Sequence, residues 1–424
     1  MSTANSFQEP TGIKFIFRTL KYRNYRLFFG GQGISLIGTW MQQTAMGWLV
    51  YRITGSAFLL GAVEFFSTIP VFFLTPFVGV LADRWNRHRM VIVIQSLAML
   101  QAFILAFLTL WGTIEVWHII SMSLFLGFIN SFDTPVRQSF VMDIIERRED
   151  IGNAIALNSS MFNLARLIGP SLAGLVIATT GEGVCFLLNG VSFIAVIIAL
   201  FAMRLRPIPR ENARTYMFQD IKEGFSYTFG FAPIRDILLL LCLVSMIGMP
   251  YAVLMPIFAK DIFHGGPHTL GFLMGGVGVG ALSGAFFLAS RKSVRGLERT
   301  IPIASAIFAF GLITFAFSRI FPLSLFLLTF CGFGLMVQMA SSNTVLQSIA
   351  DDDKRGRVMS YFTLAFRGTA PFGSLLAGTL ASKMGAPWTL FIGGGCCLIG
   401  ASLFMHKLPK LQRVIQPIYD KKLL

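Results

Sequence analysis

The chain is poor in acid and in charge of any kind. Its 424 residues hold 20 Asp and Glu against 35 Lys and Arg, and charged residues are only 13% of the total, where soluble domains carry about 25%. A soluble globular fold is excluded, because a chain that is 54% hydrophobic has more apolar surface than such a fold can bury. Cysteine is scarce: Cys185, Cys242, Cys331, Cys396 and Cys397 lie in apolar runs with no histidine at metal-ligand spacing. That excludes a zinc motif and makes adjacent Cys396 and Cys397 small packing residues, not a redox pair. His88, His118, His264, His268 and His406 fall at expected helix ends or loops, which argues against a mid-membrane imidazole switch. With no nucleophile–base set, metal motif or phosphate loop, neither an enzyme nor a metal or cofactor is expected. The first 24 residues carry Lys14, Arg18, Lys21 and Arg23 without a compact apolar core or a small-residue cleavage site. They read as an amphipathic lead-in, not a signal peptide.

What the chain does have is apolar runs of about 20 residues, the length of membrane-spanning helices and twice that of barrel strands. Polar punctuation predicts twelve spans, near 25–51, 57–82, 90–112, 117–142, 153–179, 184–204, 234–262, 268–290, 299–318, 322–349, 357–382 and 387–406. The expected fold is an all-α membrane protein with twelve transmembrane helices in two pseudo-symmetric six-helix bundles. Residues 1–24 form the lead-in, 25–204 the first bundle, 205–233 a linker with an amphipathic helix around Met217–Tyr227, 234–406 the second bundle, and 407–424 a tail. Putting both termini and the linker on one side gathers there every Lys and Arg except Arg52, Lys260, Arg319, Lys383 and the intraspan Arg166 and Arg367. By the positive-inside rule that side is the cytoplasm. The net charge of +15 then reflects topology and contact with anionic lipid and needs no nucleic acid.

The halves echo each other. Arg166-Leu-Ile-Gly169-Pro170 in span five is matched by Arg367-Gly-Thr-Ala-Pro371 in span eleven, as expected of a duplicated transporter. The prolines and Gly169 are expected to let these helices bend and pack closely. Span eight carries Gly276, Gly280 and Gly284, a GxxxG ladder on one helical face. No strand precedes it and no Lys-Ser/Thr follows, so a nucleotide loop is excluded and a packing face expected.

The loop Gly79-Val-Leu-Ala-Asp83-Arg84-Trp-Asn-Arg87-His-Arg89 resembles the signature loop after the second helix of the major facilitator superfamily. With Asn24-Tyr-Arg26, Gly31-Gln32, Gly38-Thr-Trp40, Thr54-Gly55-Ser56 and Asp133-Thr-Pro135-Val-Arg137, the chain resembles the drug, macrolide and siderophore (enterobactin-type) exporters of that superfamily over nearly its whole length. Two departures stand out: Asn86 occupies a position where the family often has Gly, and the second-half copy, Ala289–Arg295, has lost its aspartate. The resemblance implies the major facilitator fold and a conformational latch of Gly79, Asp83, Arg84, Arg87, Asp133 and Asp143. In it Asp83 caps the start of helix eleven near Val358, and Arg87 pairs with Asp133 or Asp143. It also implies that the smooth face of helix eight slides against helix five.

Glu64 is the carboxylate placed well inside a span, so Glu64, with Asp133, is the proton-coupling candidate. Arg166 and Arg367 either face a central cavity and hold an anionic substrate or form bridges, Arg166 to Asp133 and Arg367 to Glu64. The other cavity candidates are Gln32, Gln42, Gln43, Asn130, Asn163, Met249, Gln338 and Asn343. The resulting expectation is a monomeric, proton-coupled antiporter of a bacterial cytoplasmic (inner) membrane, exporting a siderophore or drug-like amphipathic molecule. Its expected partners are that small molecule, protons and membrane lipid. The alternatives are a lysophospholipid flippase of the same fold and a non-transporting sensor that kept it.

Overall fold

A computed structural model describes residues 18–204 and 225–422 except 146, 292 and 353, and gives only the backbone for 75–77, 79–84, 148, 421 and 422. The helices are α1 (Arg23–Thr54), α2 (Ala57–Arg84), α3 (Arg87–Leu110), α4 (Val116–Asp143), α5 (Ile151–Thr180) and α6 (Glu182–Phe201) in the first half. The second half holds α7 (Ala232–Ile262), α8 (Pro267–Ala289), α9 (Leu297–Phe317), α10 (Phe321–Ile349), α11 and α12 (Ala386–Lys422). α11 consists of Arg355–Thr363 and Ala370–Met384 joined by a π turn, Leu364–Gly368. α7 holds two such turns, Val244–Gly248 and Phe258–Ile262.

Ten of these helices are long and apolar enough to cross a membrane. The two that fall short of the expected twelve have physical reasons. α1 is 32 residues long but carries Gln32, Thr39, Gln42, Gln43 and Thr44 along its middle. α11 is interrupted, and its longer piece is 15 residues. The linker helix expected around Met217–Tyr227 lies largely outside the described residues. The expected tail proves to be helix: α12 runs on to Lys422, burying Leu408, Leu411, Ile415 and Tyr419 at helical spacing. Arg295 to Asp420 (2.6 Å) and Gln412 Nε2 to Glu298 (3.0 Å) hold it against the α8–α9 loop and α9.

Local chemistry sets the helix ends. Gly55 closes α1 at φ 59°, a left-handed turn that glycine adopts without strain. Asn86, which stands where the family often has Gly, has an extended backbone (φ −70°, ψ 106°) and caps α3, its side chain accepting from the Arg89 amide at 3.1 Å. At the start of the described chain a 3₁₀ turn, Arg18–Lys21, is pinned to the α4–α5 loop. Buried Asp150 accepts from the Tyr22 hydroxyl and pairs with Arg18 (2.9 Å) and Lys21 (3.6 Å). Burial pushes the Asp150 carboxyl up, but the Tyr22 hydroxyl, Lys21 and Arg18 outweigh it and hold the group below the usual carboxylate range.

The halves meet along two seams of matching design. α5 lies on α8 and α2 on α11, each through a glycine pair. A Cβ on Gly174 would stand 3.0 Å from Gly271 Cα, and one on Gly378 would stand 3.0 Å from Gly61 Cα. These pairs set the repeat register: Gly174 corresponds to Gly378, and Gly61 to Gly271. Arg166 lies eight residues before its seam glycine and Arg367 eleven before its own, so the two Arg-x-x-x-Pro units, which the sequence aligns directly, are offset by about one turn. A second expectation also fails. Gly276, Gly280 and Gly284 face Leu325, Thr329 and Phe333 of α10, not α5. The face of α8 toward α5 is Gly271, Gly275 and Gly278, against Gly174, Ser171 and Leu167. Two small-residue stripes interleave on one helix, and the i, i+4 spacing of one says nothing about which neighbour it meets.

Burial divides the molecule by depth. One buried apolar cluster runs through α7–α12 and continues into Leu49, Tyr51, Leu60 and Ile177, at the end of the bundle away from the termini. At the termini end the first half has its own core, including Tyr25, Met90, Ile94, Phe140 and Leu157. The far end is therefore sealed by a core common to both halves, whereas the apolar packing at the termini end is divided between them.

Candidate functional site

Between the seams, the helical period shows which side chains of α5 face neither α1 nor α8. On α5, Met161, Ala165 and Gly169 pack toward α1, while Leu167, Ser171 and Gly174 meet α8. Leu164 and Leu175 are exposed apolar residues on the lipid-facing side. The remaining stripe holds Ser159, Asn163 and Arg166 at i, i+4, i+7. The Asn163 amide donates back to Ser159 O at 2.9 Å. The Arg166 guanidinium lies over the Trp40 ring, 5.8 Å from its centroid, and Tyr251 of α7 lies within its field. Trp40 itself is braced edge-on by Phe162.

The opposite wall is α4 with α11. Asp133 accepts from Arg137 Nε at 2.9 Å and from Gln95 Nε2 at 3.1 Å. Arg367, in the π turn of α11, is exposed and reaches Thr134 Oγ1 at 3.5 Å. Asn130 is also exposed, one turn before Thr134. On α10, Gln347 Nε2 donates to Asn343 Oδ1 at 2.5 Å. Glu64 lies on α2 with the Gln43 side chain of α1 as its hydrogen-bond partner. Among the described residues the bridges weighed for the two intraspan arginines do not form: Asp133 takes Arg137 and Gln95, Glu64 has Gln43, Arg166 lies over Trp40, and Arg367 reaches Thr134 beside the Asp133–Arg137 pair. The Asp133–Arg137 pair was legible as an i, i+4 couple on one helix.

Several cavity candidates lie inside the halves instead. Gln42 donates to Gln101 Oε1 (2.9 Å) and accepts from Asn189 Nδ2 (2.8 Å), a closed amide network among α1, α3 and α6. Gln32 is 4% exposed and Gln338 is 0% exposed, so neither lines an open space. Met249 follows the first π turn of α7 and packs against the common core. Pro170 lies within continuous α5, while Pro371 begins the second piece of α11 just after its π turn. Of the latch residues, Arg87 pairs with Asp143 at 2.9 Å, with both side chains 20% exposed. Gly79, Asp83 and Arg84, expected in a loop, belong to the last turns of α2, and the side chains of Asp83 and Arg84 lie outside the described residues.

At the far end the halves are joined by polar contacts that spacing alone does not disclose, since the partners are far apart in the chain. The Tyr51 hydroxyl of α1 donates to Asp261 of α7, and Lys260 lies 5.4 Å from the Tyr51 ring centroid. Beside them, Arg52 pairs with buried Glu182 at 2.6 Å within the first half. Among the described residues no group of three or more His, Cys, Asp or Glu could hold a metal ion.

Comparison with known proteins fits this geometry. The chain is 26% identical over 392 residues to the staphyloferrin A transporter of Staphylococcus aureus, a match covering 91% of this chain and 97% of that protein. It is 25% identical over 397 residues to the multidrug efflux pump Tap of Mycolicibacterium fortuitum, covering 91% and 95%. The crystal structure of a POT family transporter in complex with a thioalcohol-conjugated peptide superposes with a TM-score of 0.73 over 92% of this chain and 96% of that one, at 11% identity, a likeness of fold. Residues 16–418 match the family described as transmembrane secretion effectors. Membrane-spanning helices in two seamed halves and this match together place the chain in the transmembrane secretion effector family, among the transporters of the major facilitator superfamily.

Proposed function

We propose that the protein is a proton-coupled exporter of a small amphipathic organic molecule, a siderophore or drug-like compound, working by alternating access as a monomer in a bacterial inner membrane with both termini in the cytoplasm. The observation that carries this reading is the uneven join between the halves. They share an apolar core at the far end, whereas the polar stripes of α4, α5 and α10 remain accessible toward the termini end. With the termini cytoplasmic, this is a cavity open to the cytoplasm, the loading state of an exporter. The named substrates of the two relatives supply the substrate class.

Glu64 is proposed as the proton carrier. A carboxylate in a span that has an amide partner and no cation is costly to keep ionised once water leaves. Asp133 is the weaker candidate, since Arg137 and Gln95 already occupy its carboxylate oxygens. Arg87–Asp143 is proposed to steady the termini end of the first half. The test uses purified protein in liposomes with an imposed pH gradient, following proton flux on addition of candidate siderophores and drugs. Substrate-dependent proton movement in the wild type, abolished in Glu64→Gln with substrate binding retained, is the expected result. Substrate flux with no proton movement, or unchanged coupling in Glu64→Gln, refutes the assignment.

A further inference from the structure

Arg166 and Arg367, near the middle of their helices, differ from three arginines nearer helix ends. Arg52, Arg87 and Arg137 each face a carboxylate, at 2.6 Å from Glu182, 2.9 Å from Asp143 and 2.9 Å from Asp133. Arg166 and Arg367 have no ion-pair partner among the described residues: Arg166 lies over the Trp40 ring, and Arg367 reaches the Thr134 hydroxyl with the Arg137–Asp133 pair near enough to act on its charge. Both sit near the middle of their helices, where a guanidinium cannot shed its proton and is costly without a counter-ion. In the open state the cost is met by water, which Arg367, an exposed residue, can reach. Closure of the halves removes that water. The cavity's own acids are poorly placed to replace it: Asp133 already receives Arg137 and Gln95, and Glu64 is partnered by Gln43.

We infer that the substrate is an anion, a small molecule with at least two carboxylates, bridging Arg166 of one half and Arg367 of the other. The substrate class deepens the transport reading above, and only the direction of movement depends on it. A carboxylate accepts two parallel bonds from a guanidinium fork, and Trp40 braces the Arg166 fork. The register offset puts Arg367 about one turn nearer the termini end, so the anchors are staggered and sit on separate halves. A ligand that spans them ties the halves together and supplies the counter-charges that closure requires. The amides of Asn130, Asn163 and Asn343 offer donors for its other oxygens. An organic cation would meet two unpaired positive charges in the same space.

The test is equilibrium binding to the purified full-length protein in nanodiscs, by calorimetry and by tryptophan fluorescence, with citrate as the anionic probe. Its trimethyl ester and tetraphenylphosphonium serve as the neutral and cationic probes. Saturable citrate binding, weakened roughly tenfold or more in both Arg166→Gln and Arg367→Gln and retained in Arg23→Gln, is expected for loss of charge-assisted bonds. Partial recovery in Arg166→Lys and Arg367→Lys separates a charge requirement from misfolding. No saturable citrate binding at millimolar concentration, unchanged affinity in both glutamine variants, or tighter binding of the ester or the cation overturns the inference. Because no gradient is involved, failure of proton-coupled export would leave this result intact, and failure here would leave export itself standing.

Discussion

The halves α1–α6 and α7–α12 share a frame and differ inside it. The seams are equivalent, glycine against glycine, down to the register of the close approaches. The interiors are not. In the first half Gln42, Gln101 and Asn189 use one another's donors and acceptors, and the described helices run without a π turn. In the second half three π turns interrupt α7 and α11, and Ser245 of one donates to the Phe366 carbonyl of another. Gln338 of α10 is buried with neither its amide nitrogen nor its oxygen partnered among the described residues, whereas in the first half Gln32 and Gln95 each leave only the oxygen so. A π turn widens the helix and frees backbone carbonyls. Duplication has thus preserved how the halves touch, while local breaks and buried amides were settled separately in each.

The comparison can be broken at its strongest point, the seams. A Cβ on Gly174 would lie 2.8 Å from the Pro267 carbonyl, so Gly174→Leu cannot fit without separating the far ends. In a cysteine-free background Leu60→Cys, 3% exposed, should resist an impermeant maleimide. It should label readily when Gly174→Leu is added, and Gly378→Leu should act alike if the seams are equivalent. The expected cost is about 1–3 kcal/mol or more, the range for overpacking. Next in size is Gln101→Leu, which strands Gln42 in a closed network and should lower stability by about 1–3 kcal/mol, read as thermal unfolding in detergent.

The Asp150 clamp gives a pH-dependent effect peculiar to the first half. Its carboxyl is held below the usual range, so its contribution is complete above the ordinary carboxylate pKa and is lost as pH falls through the lowered value. Amide exchange at Thr19–Tyr22 should therefore be slower in wild type than in Asp150→Asn at neutral pH, and the difference should vanish in acid. The smallest effect is expected at Gln338→Leu. Removing a buried amide without a described partner should leave stability unchanged or raised, in contrast to Gln101→Leu, and an equal loss would show the two interiors to be alike.

Much of this architecture was readable from the chain. Apolar run length disclosed the class, and the paired Arg-x-x-x-Pro units pointed to the duplication. The errors share one cause. Arg166-x-x-x-Pro170 and Arg367-x-x-x-Pro371 match in spacing, yet the seam glycines place them a turn apart. Gly276, Gly280 and Gly284 form a smooth face, but the neighbour is α10. Gln42 and Gln338 have the chemistry of cavity walls and point into their own halves. Spacing along one helix specifies a face; the identity of the facing helix depends on all the others.

The sequence by itself determined the solvent. Too few charges and runs of about 20 apolar residues admit helices in a bilayer, because lipid leaves backbone amides no partners outside the helix. It also determined that two arginines would sit in spans. Only the tertiary structure decided that no neighbouring helix would bring a carboxylate into an ion pair with Arg166 or Arg367 among the described residues. Ion pairing is a matter of a few ångströms between helices, and no periodicity along the chain encodes that distance.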